Sequence, residues 1–171
     1  MAYRNTVISY GSVSKFFHWG IFLLVSVMLI VGFTMENISN ESFQNTVYQA
    51  HKLTGLLILI LMLFRSVWTL SNPKPKMPDK TSRLEVFIVY SVHFLFYILL
   101  IAMPISGWIM SCAEGYYPSF FGFFSLALPI AKNKALAKLF ANIHEIIAWS
   151  IVSLATLHIF AALKHHYMDK D

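Results

Sequence analysis

Four apolar runs constrain this chain more than any other feature of it. They extend from His18 to Met35, from about Val47 to Leu70, from about Arg83 to Met110 and from about Lys138 to Tyr167. A helix crosses the hydrocarbon core of a bilayer with about 20 mostly apolar residues, so each run is long enough to span. The spacing predicts helices over about 15–36, 47–70, 83–110 and 138–167. The chain has 171 residues, 57% of them apolar and 12% charged, against roughly 45–50% and 25% in soluble domains. Once four spans are set aside, no length remains for a separate soluble domain. The expected architecture is an all-α membrane protein, a four-transmembrane-helix bundle formed as one unit over residues 1–171.

The connections support this division. The polar lead up to Phe17, with Arg4 and Lys15, precedes an apolar run that ends at Met35-Glu36-Asn37 without a small-residue cleavage site. The first helix is therefore expected to be retained rather than removed as a signal. Pro73, Pro75 and Pro78 lack the amide donors that a helix needs, so residues 73–80 read as a loop. Pro104 and Gly107 are expected to bend the third helix. The stretch from Gly115 to Ala137 is apolar and aromatic, with Phe120, Phe121, Phe123, Phe124, Leu126 and Leu128, but Pro118 and Pro129 bound it. The ten residues between these prolines are too few to span, and the segment is expected to lie in the interface or to cover the bundle.

Four spans place both termini on one side. Arg4, Lys15, Arg65, Lys74, Lys76, Lys80, Arg83, Lys164 and Lys170 fall on the side of the termini, nine cations in all. Lys52, Lys132, Lys134 and Lys138 make four on the other. By the positive-inside rule both termini are cytoplasmic. The net charge of +5 thus reads as a topology signal and calls for no nucleic acid. The single Cys112 cannot form an internal disulfide or a cysteine-rich metal site. Seven histidines remain as candidate ligands.

Within a span an ionisable residue is a functional candidate, because hydrocarbon penalises it when unpaired. His144 and His158 both lie on the fourth helix, about four turns apart. At 100° and 1.5 Å per residue they lie within about 40° of one face and about 21 Å apart along the axis. His51 opens the second helix at the depth of His144. At the opposite surface, His158 can be met by His18 or by His93. Two imidazole pairs stacked across a four-helix bundle match bis-histidine ligation of two b-type haems, since each low-spin iron takes two axial nitrogens. A zinc or non-haem iron site would instead gather its ligands around one metal. Gly20, Gly55, Ala148 and Ala155 could admit a porphyrin plane near the backbone, or serve ordinary small-residue packing. A channel or scaffold with structural histidines is the non-redox alternative.

The order of motifs resembles the bacterial cytochrome b561 family. The residues that carry the likeness are His18-Trp19 opening the first helix, His51-x-x-x-Gly55 on the second, Arg65 near its end, and Ala102-Met-Pro-Ile-Ser-Gly-Trp108 on the third. On the fourth come His144-Glu145, His158 fourteen positions on, and a closing His165-His166-Tyr167. The resemblance spans nearly the whole chain. It implies two haems b, one on His51 and His144 and one on His18 and His158; it is the resemblance, and not depth, that selects His18 over His93. It further implies electron transfer in the inner membrane, with short members of the family oxidising superoxide at the periplasmic face and reducing ubiquinone. The alternative role is a haem b anchor subunit that relays electrons between a partner dehydrogenase or hydrogenase and quinone.

Further candidates follow from this frame. Arg65 follows His51 by about four turns of the second helix, which brings it to the depth of the inner haem. There it could grip a propionate through paired hydrogen bonds or act as an interfacial anchor. Lys52, Lys132, Lys134 and Lys138 form a cationic rim that could steer a small anion such as superoxide, partly opposed by Glu114 and Glu145, or bind lipid headgroups. His93, if not a ligand, could bond a quinone carbonyl or a propionate. His165 and His166 read as a solvated tail.

Overall fold

In a computed structural model of the chain, residues 2–78, 81–120 and 123–169 are described; Lys80, Phe121 and Lys170 lie outside them. Four long helices account for most of the chain: α1 (Ser12–Thr34), α2 (Glu41–Leu70), α3 (Arg83–Glu114) and α4 (Lys134–Lys164). A 3-10 turn, Met35–Asn37, follows α1, and a π-helical turn, His165–Asp169, follows α4. All four helices are long and apolar enough to cross a membrane.

Each helix except α1 begins at a polar cap outside the apolar run. Asn40 accepts from the Phe43 amide at 3.0 Å and Asn133 from the Leu136 amide at 3.0 Å. Ser82 and Glu85 form a reciprocal capping box. These bonds satisfy amides that the first turn leaves without partners, so α2 begins at Glu41 and α4 at Lys134, several residues before hydropathy rises. Gly115 ends α3 at φ 88°, a left-handed conformation that favours glycine. α3 continues as one helix through Pro104.

The helices pack in sequence order, α1 on α2, α2 on α3 and α3 most extensively on α4. Contact of α1 with α4 closes the ring, through Phe33 and Trp149 at a centroid distance of 4.9 Å and through the histidines described below. The buried apolar core is small, with Ile21, Ile58 and Met62 at its centre, packed by Phe17, Leu24, Met28, Leu61 and Leu100. Large side chains such as Leu23, Ile30, Phe64, Phe94 and Phe160 point outward. Such a surface fits lipid, where association rests on packing and polar contacts rather than on exclusion of water.

The aromatic connection between α3 and α4 forms a short antiparallel hairpin, β1 (Ser119–Phe120) with β2 (Phe124–Ser125). It is fastened over the bundle end by the Trp108 indole N–H to the Leu126 carbonyl at 2.9 Å, by the Ser119 amide to Gln49 Oε1 at 3.2 Å and by the Leu128 amide to Cys112 Sγ at 3.5 Å. Cys112 is fully buried there. At the opposite end the N-terminal segment folds over α1 and α2. Asn5, itself buried, donates Nδ2–H to the Pro73 carbonyl at 3.1 Å and accepts at Oδ1 from the Gly11 amide at 3.0 Å and the Ser14 hydroxyl at 2.6 Å. The Trp68 indole N–H donates to the same Ser14 oxygen at 3.0 Å.

Candidate functional site

At the hairpin end, α2 and α4 bring His51 and His144 together edge to face, with ring centroids 6.5 Å apart and planes inclined by 70°. A second contact set orients His144. Its Nδ1 lies 3.0 Å from the Met103 carbonyl and 3.0 Å from Ser106 Oγ, both on α3. A carbonyl only accepts, so the proton sits on Nδ1 and Nε2 keeps its lone pair. Gly107 lets the ring lie directly against α3, since a Cβ there would stand 2.9 Å from His144 Cε1. Gly32 does the same for His51, at 3.3 Å. Between them opens a cavity of about 400 Å³, lined by both histidines together with Gly32, Gly55, Gly107 and Trp108.

At the end that carries the termini, His158 is flanked by two imidazoles. His18 on α1 lies at a centroid distance of 6.4 Å and an angle of 63°, and His93 on α3 at 5.8 Å and 79°. Phe96 adds an edge contact with His158 at 5.5 Å. His93 donates Nδ1–H to the Val89 carbonyl at 2.7 Å. Arg65 Nη2 stands 3.4 Å from His18 Nδ1, and its Cζ lies 5.7 Å over the Tyr97 ring. The Tyr97 hydroxyl shares a 2.8 Å hydrogen bond with Thr69 Oγ1. Just outside the span, Tyr10 lies at the surface near this group. Burial and the nearby Tyr90 and Tyr97 raise its pKa above the ordinary phenol value, against a smaller lowering by Arg65.

Two imidazoles that ligate one metal from opposite sides hold their nitrogens about 2 Å from it. Adding roughly 1 Å from each nitrogen to its ring centre puts the centroids roughly 6 Å apart, and the His51–His144, His18–His158 and His93–His158 contacts all lie near that spacing. The His18 spacing at His158 matches the hairpin-end pair, 6.4 against 6.5 Å. His51 Nδ1 is buried and unpaired among the described residues, a cost of about 1–3 kcal/mol that a bound group could relieve. The cavity and its glycines provide a slot for a planar macrocycle beside the rings.

The remaining candidates divide by position. Lys52 is half-buried at the cavity, with Nζ 3.5 Å from the Tyr116 carbonyl and 5.6 Å over the Tyr116 ring. The Lys132 side chain crosses Gly115, so both cations meet at the Gly115–Tyr116 turn. Lys134 and Lys138 are exposed at the start of α4. Glu36 and Glu145 also line the cavity, and Glu114 is exposed. Of the small residues, Gly55 lines the cavity, Ala148 is buried beside it, and Gly20 faces open space. His166 stacks edge-on with Tyr167 at 4.8 Å. The orienting atoms of Met103 and Ser106 were not singled out by the sequence reading, although both lie within the quoted Ala102–Trp108 motif.

A membrane four-helix bundle that stacks two imidazole pairs between its helices defines the class of membrane cytochromes. The chain belongs to the prokaryotic cytochrome b561 family, whose sequence profile matches residues 9–171. Cytochrome b561 homolog 2 of Escherichia coli (strain K12) is 33% identical to it, over 100% of this chain and 92% of that protein. The probable superoxide oxidase CybB of Yersinia pestis is 31% identical, over 90% and 86%. Cytochrome b561 homolog 1 of E. coli is 27% identical, over 72% and 69%. Membership makes this a multi-pass inner-membrane protein that binds b-type haem and transfers electrons.

Proposed function

We propose that the chain is a di-haem superoxide:ubiquinone oxidoreductase, with His51 and His144 holding the periplasmic haem and His18 and His158 the cytoplasmic one. The observation that carries this reading is the pair of equally spaced imidazole couples, set about four turns apart along α4. Both termini are cytoplasmic, by the nine cations on their side against four on the other. The similarity to the Yersinia pestis protein supports superoxide as donor.

Haem b bound at these pairs would supply one-electron redox chemistry at two depths. The protein's part is positional and electrostatic. Met103 and Ser106 fix the His144 tautomer and ring plane. Lys52 and Lys132 place positive charge at the cavity mouth, which raises the encounter rate of a small anion in a salt-dependent way. Arg65 supplies a cation beside the inner pair, suited to a propionate carboxylate. Two superoxide anions give up one electron each and leave as dioxygen; two electrons and two cytoplasmic protons convert ubiquinone to ubiquinol.

Purified protein loaded with haem should consume superoxide only when ubiquinone is present, and more slowly as salt is raised. Superoxide decay at its spontaneous rate with quinone added overturns the substrate assignment. His51→Ala and His158→Ala should each remove one of two haems, and not the same one. A haem lost from His93→Ala but not from His18→Ala would reassign the inner pair.

A further inference from the structure

We infer that Ser106 on α3 lowers the reduction potential of the hairpin-end site, acting through His144 as a positioning residue. This rests on the proposed function, in which His144 is a haem ligand, and adds the side chain that makes the two sites electrically unequal.

Ser106 is buried, at 3% exposure, and its hydrogen bonding differs from that of Ser26, Ser66 and Ser150. Those three donate to the carbonyl four residues back, the common way a hydroxyl is satisfied inside a helix in lipid. Ser106 donates three residues back, to the Met103 carbonyl at 2.7 Å, and its Oγ also reaches His144 Nδ1 on α4 at 3.0 Å. With the hydroxyl hydrogen spent on Met103, the Ser106 oxygen meets the imidazole as an acceptor only.

The three groups close a small network. Ser106 donates to Met103, and the His144 Nδ1–H is shared between the Met103 carbonyl and the Ser106 oxygen, each at 3.0 Å. A hydroxyl that donates becomes a stronger acceptor, because linked hydrogen bonds polarise one another. Burial keeps water from taking the place of the Ser106 oxygen. His51, across the cavity, has no such support, since its Nδ1 is buried and unpaired among the described residues.

An acceptor on Nδ1–H pushes electron density through the ring to Nε2 and makes that nitrogen the more basic ligand. A more basic axial nitrogen favours ferric over ferrous iron, so the potential falls. At the other end the group beside His18 is a cation, Arg65, with Nη2 3.4 Å from Nδ1, and a cation favours the reduced state. Lys52, the half-buried cation of the hairpin end, turns its Nζ to the Tyr116 carbonyl, and Glu36 and Glu145 line the same cavity. The two ends therefore carry opposite biases, which send an electron inward from the His144 site to the His18 site.

The test is a redox titration of haem-loaded protein between dithionite and ferricyanide, with haem absorbance read against applied potential and neither superoxide nor quinone present. Wild-type protein should show two one-electron components. In Ser106→Ala both haems should stay bound and one component should move upward alone. Its ferrous-to-ferric ratio at a fixed potential should rise about three- to tenfold, which is about 28–59 mV. Ser106→Thr, which keeps the hydroxyl, should move that component back toward its wild-type position. Adding Ser106→Ala to His158→Ala should reproduce the shift, and adding it to His51→Ala should produce none. The largest g value of the shifted ferric haem in electron paramagnetic resonance should rise as its axial nitrogen loses basicity. Two unmoved components in Ser106→Ala, a downward shift, or a lost haem overturns the role of Ser106 and leaves the substrate assignment standing. Wild-type protein that takes up a single haem overturns the di-haem reading and the role of Ser106 together.

Discussion

Replacing Gly107 with alanine should weaken haem binding at the hairpin end and leave the other end intact. The added Cβ would stand 2.9 Å from His144 Cε1 and 3.2 Å from Nδ1, whereas carbon contacts settle at about 3.5–4.0 Å. Neither neighbour can yield freely, since Gly107 is backbone within α3 and the ring is held by Met103 and Ser106. The ring must retreat by about 0.6 Å or more. That takes its two 3.0 Å bonds to about 3.6 Å, where a side-chain hydrogen bond ceases to count as one. Loss of such orienting bonds around a metal ligand typically costs about 10–100-fold in affinity, about 1.4–2.7 kcal/mol. The assay is titration of haem into protein prepared without it, read as haem per chain and as the reduced-minus-oxidised spectrum. Wild-type protein should take up two haems, and Gly107→Ala one tightly and the second about 10–100-fold more weakly. Gly20→Ala is the control, because a Cβ at Gly20 meets nothing within 4 Å. Two haems bound to Gly107→Ala with wild-type affinity would refute the reasoning, and with it the placement of a haem against His144.

Two further outcomes follow from the ends of the bundle. Lys52→Gln should slow the bimolecular reaction with superoxide several-fold at low ionic strength, and the difference should vanish in high salt as screening removes the field; stopped-flow rates against salt concentration measure both. Asn5→Ala strands the Gly11 amide and the Pro73 carbonyl, a cost of about 1–3 kcal/mol. It should lower the melting temperature in detergent by roughly 3–10 °C without altering the absorption spectrum.

The four spans were legible because lipid imposes one length and one composition on anything that crosses it. Helix ends were less so: hydropathy marks where hydrocarbon begins, while the caps at Asn40 and Asn133 lie in polar sequence outside it. The Ser82–Glu85 capping box was readable by its spacing, and there the start at Arg83 coincides with expectation. Residues 115–137 fall outside both helical rules, and the fastening of the hairpin by Trp108, Gln49 and Cys112 depends on contacts between distant positions. Among the candidate site residues, periodicity placed His144 and His158 on one face of α4. It could not separate His18 from His93, since both reach the same depth, and it could not show that Gly107 abuts His144 or that Met103 and Ser106 hold its ring.

The Asn5 clasp also sets an order of events in time. Its two halves, Asn5 and Pro73, are 68 residues apart in the chain, and the first two spans lie between them. A ribosome adding about 5–20 residues per second needs about 3–14 s to make that interval. During those seconds the Gly11 amide and the Ser14 hydroxyl can already bond Asn5, but the loop that completes the clasp does not yet exist. The first helical pair is thus latched only after its second member has been synthesised, so the order of synthesis delays the closing of that end of the bundle.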